Sequence, residues 1–192
     1  MLRTSAPLIG TLGITRQTLR STMNPIYPGR FTTQVDGPFV VFIIGMRVNR
    51  LWAVHKWLPV AGAMGPMIKE LLAHPELGLL SAQTVFYWRG VGIIQYWRSY
   101  EALEEFSRNP KASHLEAWKR FNRSIGADGS VGIWHETYLV EAGRYECVYG
   151  NMPRFGLAVA GEHQPAVGAK ETASRRLGRS GEPTVPSYDN PK

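Results

Sequence analysis

The chain has 192 residues, a formal net charge of +7 and a single cysteine, Cys147. That length fits one domain with tails, and the lone cysteine excludes an internal disulfide framework and a cysteine-based zinc cluster. Hydrophobic residues make up 44%, enough for a substantial core and too many for wholesale disorder.

The positive charge sits at the ends. Residues 1–35 carry Arg3, Arg16, Arg20 and Arg30 and no acid, and residues 169–192 are also net basic. The span between them is nearly neutral, so it lacks the clustered Lys and Arg of a phosphate-binding face, and no nucleic-acid partner is expected. Pro38–Met46 is the most apolar run. It is strand-length, far short of the ~18 residues of a membrane span, so no membrane partner is expected either.

Residues 1–30 read as a flexible N-terminal leader. Met1–Thr22 contains Arg, Ser and Thr and no acid, the composition of an organellar transit peptide. A plain extension, with Met23 as the true start, is the favoured reading, and the cytoplasm is the expected location. Asn24–Gly37, with Pro25, Pro28, Gly29 and Gly37, reads as an irregular arm.

Pro38–Asn49 is apolar on both alternating faces, the pattern of a central strand covered on both sides. Leu51–His74 has helical periodicity, and Pro59 and Pro66 divide it into shorter segments. Leu77–Arg89 and Val91–Arg98 form a hairpin rich in aromatics. Tyr100–Arg108 and Ala112–Ile125 are amphipathic helices separated by Asn109-Pro110. Val131–Val140 (VGIWHETYLV) is the next strand, and Arg144–Tyr149 reads as a short fifth. The residues after Gly150 read as loops, and 169–192 as a disordered tail.

Strand, helix, two strands, helix pair, strand is a ferredoxin-like βαββαβ order. It predicts an α+β domain over residues 31–168, an antiparallel sheet with helices on one face. The bare face of such a sheet needs a cover, and a second copy closing a dimeric α/β barrel supplies one.

Three blocks then carry a family resemblance: GMRVNRLWAVHKWLPV at Gly45–Val60, YWRSYEALEEFSRNP at Tyr96–Pro110, and VGIWHETYLVEAGRYECVYGNMPRFGL at Val131–Leu157. HLEAWKRFNR at His114–Arg123 adds to them. Together, over roughly Tyr27–Leu177, the chain resembles the monooxygenase-like family named after an antibiotic-biosynthesis-monooxygenase-type protein of the fumagillin pathway, within the dimeric α/β barrel superfamily. The resemblance implies a homodimer and a small oxidoreductase of secondary metabolism. Some members of that superfamily are cofactor-free monooxygenases and others bind haem; fold alone does not choose between them.

Within VGIWHETYLV, strand alternation sends His135 and Glu136 to opposite faces, so the two cannot work as a dyad. His135 is the candidate general base. Arg47 and Asn49, at the end of the first strand, are candidates for stabilising a substrate anion. Trp57, Tyr96, Trp97, Trp134 and Glu136 are candidate substrate-binding residues. The partners are then an aromatic or polyketide-like small molecule and dioxygen, with no cofactor. Two alternatives stand beside this monooxygenase reading. One is a haem protein with His55, His114 or His135 as axial ligand; the other is a binding protein without chemistry. No histidine pair at i, i+4 spacing and no HExxH is present, so no non-haem metal site is expected.

Overall fold

The structure is a computed structural model that describes residues 25–108 and 128–179. Its main sheet has four strands: β2 (Phe39–Val48), β3 (Leu79–Tyr87), β4 (Gly90–Trp97) and β5 (Val131–Val140). Their order is β3-β4-β2-β5, antiparallel throughout. Helix α1 (Val54–Ala73) links β2 to β3, and α2 (Tyr100–Arg108) follows β4. This is the ferredoxin-like α+β arrangement. The strand apolar on both faces, β2, is indeed central, and β5 is an edge.

The register divides the side chains cleanly. Ile44 pairs with Ile93 on β4 and with His135 on β5. Val40, Phe42, Ile44, Met46 and Val48 therefore share a face with Ile93, Gln95, Trp97, His135 and Thr137. That face packs under α1 and α2. It holds two cores: Val40, Leu71, Leu79, Trp97, Leu103 and Phe106 toward one end, Met46, Val48, Val60 and Val131 toward the other.

Helix α1 is continuous, contrary to the expected break at Pro59. The two prolines are seven residues apart, on one helical face, and both are exposed. The carbonyls they leave without donors belong to His55 and Gly62, also exposed, so water takes the place of the missing bonds.

The other corrections concern pairings between chain ends. The expected arm before residue 37 contains β1 (Tyr27–Gln34). It is the middle strand of a second sheet, between β6 (Tyr149–Met152) and β7 (Glu162–Pro165). Pro28 and Gly29 lie in a register shift between Tyr27 and Arg30, which accommodates two residues ill suited to a regular ladder. The expected strand over Arg144–Tyr149 is mostly extended chain without a ladder, tied by side chains instead. Thr32 donates its hydroxyl to the Cys147 carbonyl at 2.8 Å, and Tyr145 accepts from the backbone N–H of Val35. The expected loops after Gly150 hold β6, the short helix α3 (Leu157–Ala160) and β7.

Residues 169–179, placed by composition in the tail, include a final short helix, α4 (Ala173–Arg176), capped by the Thr172 side chain. Arg176 is almost fully buried and paired with Glu146, and it also donates to the carbonyls of Lys170 and Glu171. The helix expected over Ala112–Ile125 lies outside the described residues.

Candidate functional site

Between its two cores the helix-facing layer is hollow. A cavity of about 360 Å³ is lined by Phe42 and Ile44 of β2, Gln95 and Trp97 of β4, His135 and Thr137 of β5, and residues of both helices including Ile68, Leu71, Tyr100 and Leu103. A neighbouring cavity of about 320 Å³, lined by Met46, Val60, Val91, Ile93 and Ile133 among others, shares Ile44 and Ile68 with it. The second is walled almost wholly by apolar side chains, while the first adds Gln95, His135, Thr137, Glu104, Ser107 and Arg108 to an apolar floor, the setting in which a few polar groups fix a ligand's orientation.

His135 is one of those groups. Its ring centre lies 5.7 Å from that of Phe42, and it has no hydrogen bond among the described residues. It is exposed on the edge strand, so the cavity opens past it. An imidazole without a fixed partner keeps both ring nitrogens available for proton exchange.

Gln95 is the second, and the sequence reading passed it over. It is 3% exposed, and its side-chain carbonyl accepts the indole N–H of Trp97 at 2.8 Å. An indole nitrogen only donates, so this contact fixes which way the amide points. The remaining Gln95 donor is the amide NH₂, on a residue that lines the cavity. The signal was present: along the helix-facing side of β4, Val91, Ile93, Gln95 and Trp97, one residue is polar. Trp97 itself is wholly buried, lines the same cavity and holds Gln95 through its indole N–H. At the rim, Arg108 pairs with Glu104 at 2.9 Å.

Arg47 and Asn49 do not join His135. The register pairs Arg47 with Gly132 and Gly90, on the opposite face of the sheet. Asn49 closes the loop before β5, donating its side-chain amide to the Gly129 carbonyl at 3.1 Å. Trp57 packs against the second core and donates to the Leu51 carbonyl at 3.0 Å. His55 is exposed in the first turn of α1, and His114 lies outside the described residues.

The remaining candidates occupy the face turned away from the helices. Glu136 accepts the Tyr138 hydroxyl at 2.6 Å, which raises the pKa of that phenol. It forms no ion pair with Arg47. Trp134 lies against Tyr87 and donates its indole N–H to the tyrosine oxygen at 2.9 Å, while that hydroxyl donates to the Met46 carbonyl at 2.6 Å. Gly45 makes this possible, since a Cβ there meets the Tyr87 oxygen at 2.7 Å and the Trp134 nitrogen at 2.8 Å. Tyr96 is covered by the Gly156–Leu157 segment, and burial raises its pKa.

Residues 39–157 match the protein family described as Monooxygenase af470-like. The chain belongs to that family. It is 30% identical over 155 residues to Monooxygenase af470 of Aspergillus fumigatus, an alignment covering 68% of this chain and 54% of that relative. The chain thus spans about half the length of that curated relative. Among solved structures it is similar to the aldoxime dehydratase OxdRE in complex with butyraldoxime. The TM-score is 0.53 and the identity 17%, covering 71% of this chain and 40% of that one. SnoaB, a cofactor-independent oxygenase from Streptomyces nogalater, is similar at a TM-score of 0.38 and 12% identity, over 52% of this chain and 90% of its own. At 17% identity the likeness to OxdRE speaks to the fold alone.

Proposed function

We propose that this member of the monooxygenase family binds a flat, hydrophobic small molecule between helices and sheet and oxidises it with dioxygen. The observation that carries this is the His135 imidazole, without a hydrogen bond among the described residues, on the wall of a mainly apolar cavity.

The geometry supplies two ends for such a substrate. Gln95 and His135 are two strands apart and one residue pair out of step, with Phe42 between them. Strand spacings put their Cα atoms about 12 Å apart. A hydroxylated polycyclic aromatic lying over Phe42 bridges that gap. His135 takes the phenolic proton, and the Gln95 amide donates to a conjugated carbonyl oxygen at the far end, onto which the negative charge spreads. The resulting electron-rich anion reduces dioxygen at a ring carbon, forming a hydroperoxide; that carbon then loses its hydrogen as the O–O bond breaks, so water leaves and a quinone carbonyl remains, the substrate supplying all four electrons. The apolar walls keep bulk water from the anion.

Of the haem-ligand candidates placed by the structure, His135 is the one that lines a cavity, and its free ring nitrogens suit an axial ligand. Bound haem supplies oxidation chemistry of its own; the residues of this chain then hold and orient it. On the helix-free face Trp134 and Tyr138 remain exposed, and we propose a homodimer in which a second copy covers them.

Oxygen uptake measured with a panel of hydroxylated polycyclic aromatics, with and without haemin, tests the reading. Uptake with no haemin supports the cofactor-free route, and uptake only with haemin and a shifted Soret band supports the other. Tight binding without any uptake leaves a ligand-binding protein and contradicts both.

A further inference from the structure

Large apolar side chains are conspicuously concentrated at one end of the molecule. Trp52 is 80% exposed, Phe86 84% and Trp88 83%, the highest values among the described large hydrophobics. Trp52 belongs to the β2–α1 connection, and Phe86 and Trp88 to the β3–β4 hairpin. The two connections are fastened together: the Arg89 carbonyl accepts from Val48, and the Arg89 guanidinium donates to the Asn49 carbonyl. Leu51, next to Trp52 in the same connection, is 57% exposed.

Two exposed cations stand at this end. Arg47 and Arg50 are exposed and have no ion pair among the described residues. The neighbouring acid, Asp128, is already taken by Lys56 and by Ser130. Arg89 holds an unusual backbone for a non-glycine residue, φ 61°, at the hairpin turn, which keeps Trp88 at the tip.

We infer that this end docks the protein on an anionic lipid surface, with Trp52, Phe86 and Trp88 entering the headgroup–acyl boundary and Arg47 and Arg50 facing lipid phosphates. Tryptophan with arginine is the composition of membrane interfaces. Side chains at four-fifths exposure or more suit a deformable partner better than the flat, matched surface of a second protein. No helix among the described residues is long and apolar enough to cross a membrane, and surface docking needs none. Phe86 also lines the apolar cavity of about 320 Å³ under α1, so docking places a hydrophobic chamber beside the lipid.

The test is flotation of the full chain with vesicles of phosphatidylcholine alone and of phosphatidylcholine with phosphatidylserine. The protein floats with the anionic vesicles, its tryptophan emission shifts to the blue, and salt releases it. Trp52→Ser combined with Trp88→Ser weakens binding by on the order of tenfold or more, and Arg47→Glu with Arg50→Glu abolishes the preference for the anionic lipid. Both tryptophans are outside the core, so circular dichroism stays that of the parent. Quenching of the unmodified protein by brominated lipid provides a reading that requires no variant. The proposal is overturned by three results: no flotation with either vesicle, undiminished flotation of the tryptophan variant (which assigns binding to the basic leader), or a change of that variant from dimer to monomer in sedimentation (which assigns the patch to a second copy).

Discussion

Trp97 donates its indole N–H to the side-chain carbonyl of Gln95 at 2.8 Å, inside a core where neither residue is more than 3% exposed. The pair joins the packing of the fold to the polarity of the cavity. Trp97 belongs to the main core, and Gln95 turns what that contact leaves over, an amide donor, toward the space beside Phe42.

Gln95→Met keeps the volume and removes the acceptor. It leaves the indole nitrogen buried without a partner, which costs about 1–3 kcal/mol. Thermal or urea unfolding measures that loss. In the same variant, ligand affinity falls for phenolic compounds and holds for their methyl ethers, because the missing group is a donor to an anionic oxygen.

Gly45→Ala is destabilising by about 1–3 kcal/mol. Its new methyl meets the Tyr87 oxygen and the Trp134 indole together. Relief comes by lifting those rings off the sheet, which breaks the Trp134–Tyr87–Met46 chain of hydrogen bonds. Increased exposure of Trp134, read by acrylamide quenching, accompanies the loss, and it is absent from Gly62→Ala, where a Cβ meets nothing within 4 Å.

Asp128 ties the loop before β5 to α1. Hydrogen bonds from Lys56 and from the backbone and hydroxyl of Ser130 hold its carboxyl well below the ordinary carboxylate range. The folded pKa is lowered, so the stabilisation is fully present above the unfolded value and is lost as pH falls below it toward the folded value. Asp128→Asn therefore narrows its stability gap to the parent as pH drops into the acid range, and equilibrium unfolding at neutral and acid pH detects this. The residue is solvent-exposed, so salt reduces the gap as well.

Arg176→Ala leaves the Glu146 carboxylate without its partner and the carbonyls of Lys170 and Glu171 without their donor. The segment after Val167 loosens. Hydrogen exchange rises there and stays unchanged in β2 and β4, where the protection comes from the main sheet.

The sheet was legible because its information is local. The two-sided apolar pattern of Phe39–Val48 marks a central strand, and alternation alone separates His135 from Glu136. The site was only half legible. Grouping Arg47 with His135 required the pairing of Ile44 with His135, a register that no single strand encodes. The same limit hid the second sheet. Tyr27–Gln34 finds its partners more than 110 residues later, at Tyr149 and Glu162, and Pro28-Gly29 gives the opposite local signal. The prolines of α1 misled for a related reason: their cost depends on whether the freed carbonyls meet water, and that follows from the face the helix turns outward.

The account rests on His135 acting in the cavity beside Phe42. The most direct measurement is oxygen uptake by His135→Ala and His135→Gln beside the parent, with whichever hydroxylated polycyclic aromatic the parent consumes. Both variants fold, since His135 is exposed and its side chain makes no hydrogen bond among the described residues. They bind the substrate and lose on the order of 10²–10⁴ in turnover, the share of a general base. Unchanged turnover in either variant contradicts the account.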